Sequence, residues 1–331
     1  MYFAGQLSLE AYWQRLRKGR SPFSPTFDCP PRTLRRASLA GRTLSREPFL
    51  RPTSDADSHA PEVIALADEL RASTDDDWQY AEAIFDHVRN GFDHCFDLPS
   101  RRGVVGTLER GFGTCNDKLN LFVALARAGG IPARYCTVGI APGQAGVLSL
   151  TRDDQGVFGV LTAAFARFLV EEHDPRAKRI ASLVLRVFSR KRRRLEARTR
   201  DDSHDPARDP IGHYIAEVRI GQNWIPADPT LSDADWVELP QRFGSPPFFL
   251  HKFVGMTITD RMESLPWQRS RAMLWFAYCG IGRGFFDQIN NSVEAQRCRG
   301  RDVIAERRRA TPVALEPSSY QPMPAAAEEG I

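Results

Sequence analysis

The sequence predicts an α+β fold, and three observations carry that prediction. Two amphipathic helical patterns follow one another between Pro61 and Gly91. A third helical pattern, from Thr114 to Gly130, opens on Cys115 and runs into a strand pattern from Ile131 to Gly139. Residues 213–230, HYIAEVRIGQNWIPADPT, read as an antiparallel β-hairpin. Helix-period and strand-period stretches thus occupy separate parts of the chain.

The bulk composition narrows the class further. The 331 residues are 42% hydrophobic, enough for one full-sized core with added pieces or for two small domains. Charged residues make up 26% and the mean hydropathy is −0.38, as in an ordinary soluble globular protein. The formal net charge of +4 is too small to point by itself to a nucleic-acid partner. The first twenty residues lack the apolar stretch of a secretory signal. No run approaches the roughly 18 apolar residues that span a bilayer. The six cysteines (Cys29, Cys95, Cys115, Cys136, Cys279, Cys298) form no CxxC pair. They read as reduced thiols of a cytoplasmic protein, packed as small hydrophobes, with Cys115 the exception.

In chain order, residues 1–60 mix Arg, Pro, Ser and Asp without periodicity and read as a partly disordered N-terminal arm. Order begins at Pro61, a favourable first helical residue, followed by Val63, Leu66, Ala67 and Leu70 at helical spacing. The next helix is predicted to start at Thr74, capped by Thr74 and Asp77, with a stripe of Trp78, Ala81, Ile84, Phe85 and Val88. Thr114 and Asp117 form another capping pair, which places Cys115 at the first helical position. Leu119, Phe122, Val123 and Ala126 continue one apolar face from it, and Gly129 and Gly130 end the helix.

Residues 141–205 interrupt this core, residues 61–240, with a helical insertion. Within it, Arg176 to Arg200 holds eleven Lys or Arg and a single acid, Glu196. That segment is a solvated face or a surface for an anionic partner, whether membrane, nucleic acid or acidic protein. In the hairpin, Tyr214, Ala216, Val218 and Ile220 alternate with His213, Ile215, Glu217 and Arg219, and the turn lies at Gly221 to Asn223. Residues 241–305 are aromatic-rich and read as a helical C-terminal cap, and residues 306–331 as a disordered tail.

The candidate chemistry rests on Cys115, His213 and Asp228. A thiol attacks a carbonyl efficiently only as the thiolate. The first turn of a helix offers unpaired N–H groups and the positive end of the macrodipole, which favour an anion. Gly111, Gly113 and Thr114 form a loop that lets a substrate backbone approach, and the Cys115 N–H is a candidate oxyanion donor. A base must lie within reach of the sulfur, with a third group to orient it. Antiparallel pairing sets His213, at the start of one strand, beside Asp228 near the end of its partner.

These blocks resemble the transglutaminase-like superfamily. Gly111, Gly113, Cys115 and Asp117, then Gly130, Ile131, Pro132, Ala133 and Arg134, are similar to its nucleophile segment. His213, Glu217, Val218, Trp224, Asp228, Pro229 and Thr230 are similar to its histidine and aspartate strands. The resemblance covers roughly residues 61–140 and 210–240. It implies a papain-like core in which a cysteine-bearing helix packs on an antiparallel sheet that supplies His and Asp. In that frame Asp117, Glu217 and Trp224 are supporting residues. Thr114 stands where the family often has Asp.

Other candidates carry less. His94 and Cys95 do not read as a second dyad, because adjacent strand residues point to opposite faces. The acids and histidine of residues 171–174 lack a second cluster to complete a metal site. Gly280 to Gly284 follows no strand and lacks dinucleotide spacing, so it reads as a helix break.

The expected function is acyl transfer on an amide or peptide bond through a thioacyl-enzyme, with a protein, peptide or small amide as substrate. The motif leaves protease, amidase and transamidase open, and the chemistry calls for no metal or organic cofactor. The alternative is a catalytically silent scaffold that binds an anionic partner through the basic insertion.

Overall fold

The structure, a computed structural model, describes residues 32–96, 102–140, 213–235, 242–245, 256–265 and 283–310, together with residue 237 and five scattered positions between 175 and 186. The basic insertion and the residues after Ala310 lie outside the described residues, the five positions apart, as do residues 1–31.

Helix α1 spans Pro61–Arg71 with Pro61 at its first position. Helix α2 spans Asp77–Gly91, and here the cap differs from the sequence reading. Asp76 is the N-cap and accepts from the Gln79 N–H at 2.8 Å, whereas the Thr74 hydroxyl turns back to the Arg71 carbonyl. In the run Thr74–Asp77 each residue is a competent cap, and helix length is set by the core contacts of Tyr80, Ala81, Ile84, Phe85 and Val88. Helix α3 spans Gly103–Arg110 and ends at Gly111 with φ +73°, a left-handed position that suits glycine. A Cβ at Gly111 would also stand 2.6 Å from the Arg32 guanidinium.

Helix α4 spans Cys115–Ala128 and is the centre of the molecule. Nearly every residue from Asp117 to Arg127 is buried, so the helix is enclosed on all sides. It packs against α1, α2 and α3 and against the sheet. Leu119, Phe122, Val123 and Ala126 join Phe85, Tyr135, Ala216 and Val218 in one core cluster. Each large apolar side chain buried there contributes about 1.5–3 kcal/mol.

Two short strands, β1 (Asp93–His94) and β2 (Phe112–Gly113), pair in parallel just before α4. The main sheet contains β3 (Ala133–Ile140), β4 (Tyr214–Ile220), β5 (Asn223–Ala227) and β6 (Met256–Met262). Its order is β5-β4-β3-β6, and all three pairings are antiparallel. The β4–β5 hairpin closes with Ile220 opposite Asn223 and Gly221 at φ +60°. Alternation holds along β4. Tyr214, Ala216, Val218 and Ile220 face the helical core, whereas Ile215 packs with Cys136 and Val138 on the other face.

Three features outside the sequence reading complete the fold. Strand β6 lies where the sequence predicts only helix. The C-terminal helix α5 runs through Arg283–Ala310, past residue 306, where the sequence predicts the tail to begin. Residues 32–60, read as arm, pack on the core through backbone bonds from Arg32 to Glu109, Ala37 to Pro61 and Ala133 to Phe49. Among the described residues no helix is long and apolar enough to cross a membrane.

Candidate active site

The cysteine is placed by its cap. Thr114 accepts from the Asp117 N–H through its hydroxyl, and the Asp117 carboxylate accepts from the Thr114 N–H at 3.0 Å. This reciprocal box fixes the first turn, so Cys115 starts the helix, as its sequence position predicts. Gly113 has no room for a side chain, since a Cβ would meet the Asp117 Cβ at 2.7 Å. The Arg110 guanidinium stands 3.5 Å from the same carboxylate.

The base and its partner come from the hairpin. His213 Nε2 lies 2.7 Å from Asp228 Oδ2, with the two side chains 11% and 3% exposed. His213 immediately precedes β4, so the alternation that sends Ile215 and Glu217 to the far face does not bind it. Asp228 sits one residue past β5, and its second oxygen accepts the Thr230 N–H at 3.1 Å. Burial alone would raise the Asp228 carboxyl. The His213 interaction and the Thr230 donors outweigh it and hold the group below the usual carboxylate range.

Helix α4 packs directly on β4, which brings the Cys115 end of the helix to the His213 end of the strand. Electrostatics register that proximity. Burial pushes the half-buried Cys115 thiol up to about 12, and the Asp228 carboxylate adds to the rise. The N–H groups of Asn116 and Cys115 act in the opposite direction, as expected at a helix N-terminus, but burial outweighs them. The helix end alone thus does not bring the thiol down. The same sulfur and burial raise the Tyr214 phenol, with burial the larger cause. Tyr214, read from the sequence only as one of the alternating residues of the strand, thus adjoins the thiol.

Not every predicted site residue comes to this place. Cys115, His213, Asp228, Gly113, Thr114 and Asp117 gather at the helix N-terminus and hairpin ends. Glu217 and Trp224 are on the opposite face of the sheet. Glu217 bonds Arg134 at 2.7 Å and Arg261 at 3.2 Å, which ties β4 to β3 and β6. Trp224 lies under the Arg134 guanidinium, 3.8 Å from ring centroid to Cζ, and edge-on to Phe49. Both support the sheet that carries His213, and neither faces the sulfur.

A buried polar layer lies beneath the site, with little sign of it in the residue pattern. Lys118, one turn on from Cys115, donates to the Arg89 and Phe92 carbonyls at 2.9 and 2.8 Å. Burial lowers its ammonium to about 8. His94 is 4% exposed, its Nδ1 has no hydrogen-bond partner among the described residues, and burial lowers it to about 4. Arg89 holds the Leu231 carbonyl at 2.7 Å and Asp233 at 2.5 Å, and Arg297 holds Asp235 at 2.9 Å. The signal available in sequence was a lysine inside an apolar helix stripe, which requires partners once buried.

A family model of the transglutaminase-like superfamily matches residues 64–229, half of the chain, and that span contains Cys115, His213 and Asp228. No curated protein matches it. Among solved structures, a candidate cysteine protease from Cytophaga hutchinsonii is similar at 18% identity and a TM-score of 0.32, over 66% of this chain and 52% of that one. A candidate protease from Parabacteroides distasonis is similar at 14% identity and a TM-score of 0.27, over 50% of this chain and 22% of that one. The chain therefore spans about half the length of the first and less of the second. With the capped cysteine helix and the His–Asp hairpin both inside the matched span, the chain belongs to the transglutaminase-like superfamily.

Proposed function

We propose that the chain is a cysteine-dependent acyl-transfer enzyme acting on an amide or peptide bond, with Cys115 as nucleophile, His213 as base and Asp228 as the residue that orients it. The observation that carries this reading is the 2.7 Å His213–Asp228 contact at the end of the strand on which the Cys115 helix packs. Asp228 engages Nε2, so the proton of the sulfur passes to Nδ1 of the same ring. His213 takes that proton as the sulfur attacks the carbonyl carbon. The C–S bond forms as the carbonyl π pair moves to oxygen. The tetrahedral adduct then collapses, the C–N bond breaks, and the amine leaves with the proton from His213.

The thioacyl group next passes to water, giving a carboxylic acid, or to an amine, giving a new amide. The loop of Gly113 and Thr114 with the Cys115 N–H is the proposed cradle for the carbonyl oxygen. The free thiols of Cys115, Cys136 and Cys298 suit a reducing compartment such as the cytoplasm.

The test combines labelling with turnover. Iodoacetamide should modify Cys115 faster than Cys298, although Cys298 is the more exposed, and His213→Ala should slow the Cys115 reaction. Glutamine-type and peptide amides, offered with and without an added amine, separate hydrolysis from transamidation. Equal labelling of both thiols, unaffected by His213→Ala, would overturn the reading.

A further inference from the structure

We infer that the C-terminal helix α5, which lies wholly beyond the family match at residue 229, is a positioning element of the active site. Through Arg297 it holds the strand behind Cys115 and the loop behind Asp228 in one fixed relation. The inference rests on the Cys115–His213–Asp228 reading.

The cysteine side is held through β1. Arg297 is 1% exposed, and its guanidinium donates to the His94 carbonyl at 2.6 Å. His94 pairs with Gly113, and the Cys95 N–H donates to the Gly113 carbonyl at 3.0 Å. Gly113 leads directly to the Thr114 cap and Cys115. Asn290, one helical stretch earlier, bonds both backbone groups of Phe96, at 2.8 and 2.9 Å. Helix α5 thus fixes β1 at His94 and the chain just beyond it at Phe96.

The acid side is held through Asp235. Arg297 Nε donates to Asp235 Oδ1 at 2.9 Å. The other oxygen of Asp235 accepts from the Ser232 N–H and hydroxyl, at 2.9 and 2.8 Å, and the Ser232 hydroxyl accepts the Asp235 N–H. This closes the turn that follows Asp228 and Thr230. The helix can lie this near because Gly300 has no side chain, since a Cβ there would stand 1.9 Å from the Ala234 carbonyl oxygen. One planar guanidinium with donors in a rigid fork suits two partners at fixed angles, which an ammonium does not.

The sequence conceals this role. Arg297 sits in a polar helix among Glu294, Arg299 and Arg301, and a charged residue in such a run reads as solvated. Its burial shows only in the fold.

The test measures iodoacetamide alkylation of Cys115, read at the labelled peptide, across about pH 5 to 9 on the full-length chain. Variants are Arg297→Gln, Arg297→Lys, Asp235→Asn, Gly300→Ala and His213→Ala, each with a near-ultraviolet circular dichroism spectrum. Arg307→Gln, on the same helix, which loses an exposed bond to the Val237 carbonyl, is the control. Folded Arg297→Gln and Asp235→Asn should slow alkylation by about 10- to 100-fold and shift its pH profile toward that of His213→Ala. Arg297→Lys should recover little, and Arg307→Gln should match the parent.

Should Arg297→Gln not fold, the isosteric Asp235→Asn and the wedge Gly300→Ala are read in its place. Parent-like rates and pH profiles in the folded variants, with His213→Ala slow, would overturn the inference and leave the triad standing. If His213→Ala also labels like the parent, the triad reading fails and this inference fails with it.

Discussion

His213 Nε2 and Asp228 Oδ2 are 2.7 Å apart in a place almost closed to water. An aspartate so placed fixes the ring tautomer and favours the cationic ring that forms during catalysis. Asp228→Asn keeps the volume, yet its amide can present an N–H to Nε2 and reverse the tautomer. The expected result is loss of turnover and of Cys115 alkylation by about 10²–10⁴-fold, with a folded protein. Comparison of rates at one neutral pH checks it, and a parent-like rate would exclude an orienting role.

Glu217 provides the contrast. It is buried, and it binds Arg134 and Arg261 on the face of the sheet away from Cys115. Glu217→Gln removes the charge that both guanidinium groups face and should cost about 1–3 kcal/mol in urea unfolding. At a temperature where the variant is folded, Cys115 alkylation should be unchanged. A fall in alkylation as large as that of Asp228→Asn would show that Glu217 acts on the site rather than on the sheet.

The parts of this fold that are legible in sequence are those whose local chemistry and burial agree. The Thr114–Asp117 box, the apolar face behind Cys115 and the alternation of β4 each state in a few residues what the tertiary structure also requires. The His213–Asp228 contact was legible because antiparallel pairing sets strand start beside strand end, although Asn223, read as part of the turn, pairs with Ile220 in β5. Strand β6 was not, since Thr259, Asp260 and Arg261 in succession break the alternation of Met256–Met262, which is ordered by pairing with β3 and by the Thr137–Thr259 contact. Helix α5 was read as helical, but its end and its inner face were not legible, for a different reason. It is anchored by Asn290 and Arg297 rather than by an apolar stripe, so periodicity carries no trace of which face is inside. The packing of residues 32–60 depends on partners remote in sequence, such as Arg51 with Glu263.

The loop before Cys115 is predicted to tolerate very little. Thr114→Ala removes the hydroxyl that accepts the Asp117 N–H and should cost about 1–2 kcal/mol, whereas Thr114→Ser should restore most of it. Gly113→Ala places a methyl 2.7 Å from the Asp117 Cβ, a short stem within the helix that cannot swing aside. The expected loss is about 1–3 kcal/mol, accompanied by slower alkylation because the first turn must shift. Thermal unfolding of the three variants, set against their alkylation rates, checks both effects. Gly113→Ala with parent stability would mean that the loop is looser than the structure shows.

His94 supplies a pH dependence with a definite sign. Burial, followed by the positive charges of Lys118 and Arg297 and the proximity of His213, outweighs the Asp235 carboxylate and lowers its ring to about 4. The unfolded chain binds a proton there near pH 6.5, before the folded protein does. Stability must therefore fall as pH drops from about 6.5 toward 4 and be unaffected by this group at higher pH. The loss attributable to His94 is on the order of 3 kcal/mol over that interval. Because Nδ1 has no hydrogen-bond partner, His94→Leu leaves no partner to that nitrogen stranded, and its stability at neutral pH should be close to the parent's. Urea unfolding near pH 7 and near pH 4.5 should show the parent losing about 2–3 kcal/mol more than the variant between the two conditions. Equal losses in the two proteins would mean that the His94 ring takes up its proton in the folded state as readily as in the unfolded chain, and that the buried layer beneath Cys115 opens to water in acid.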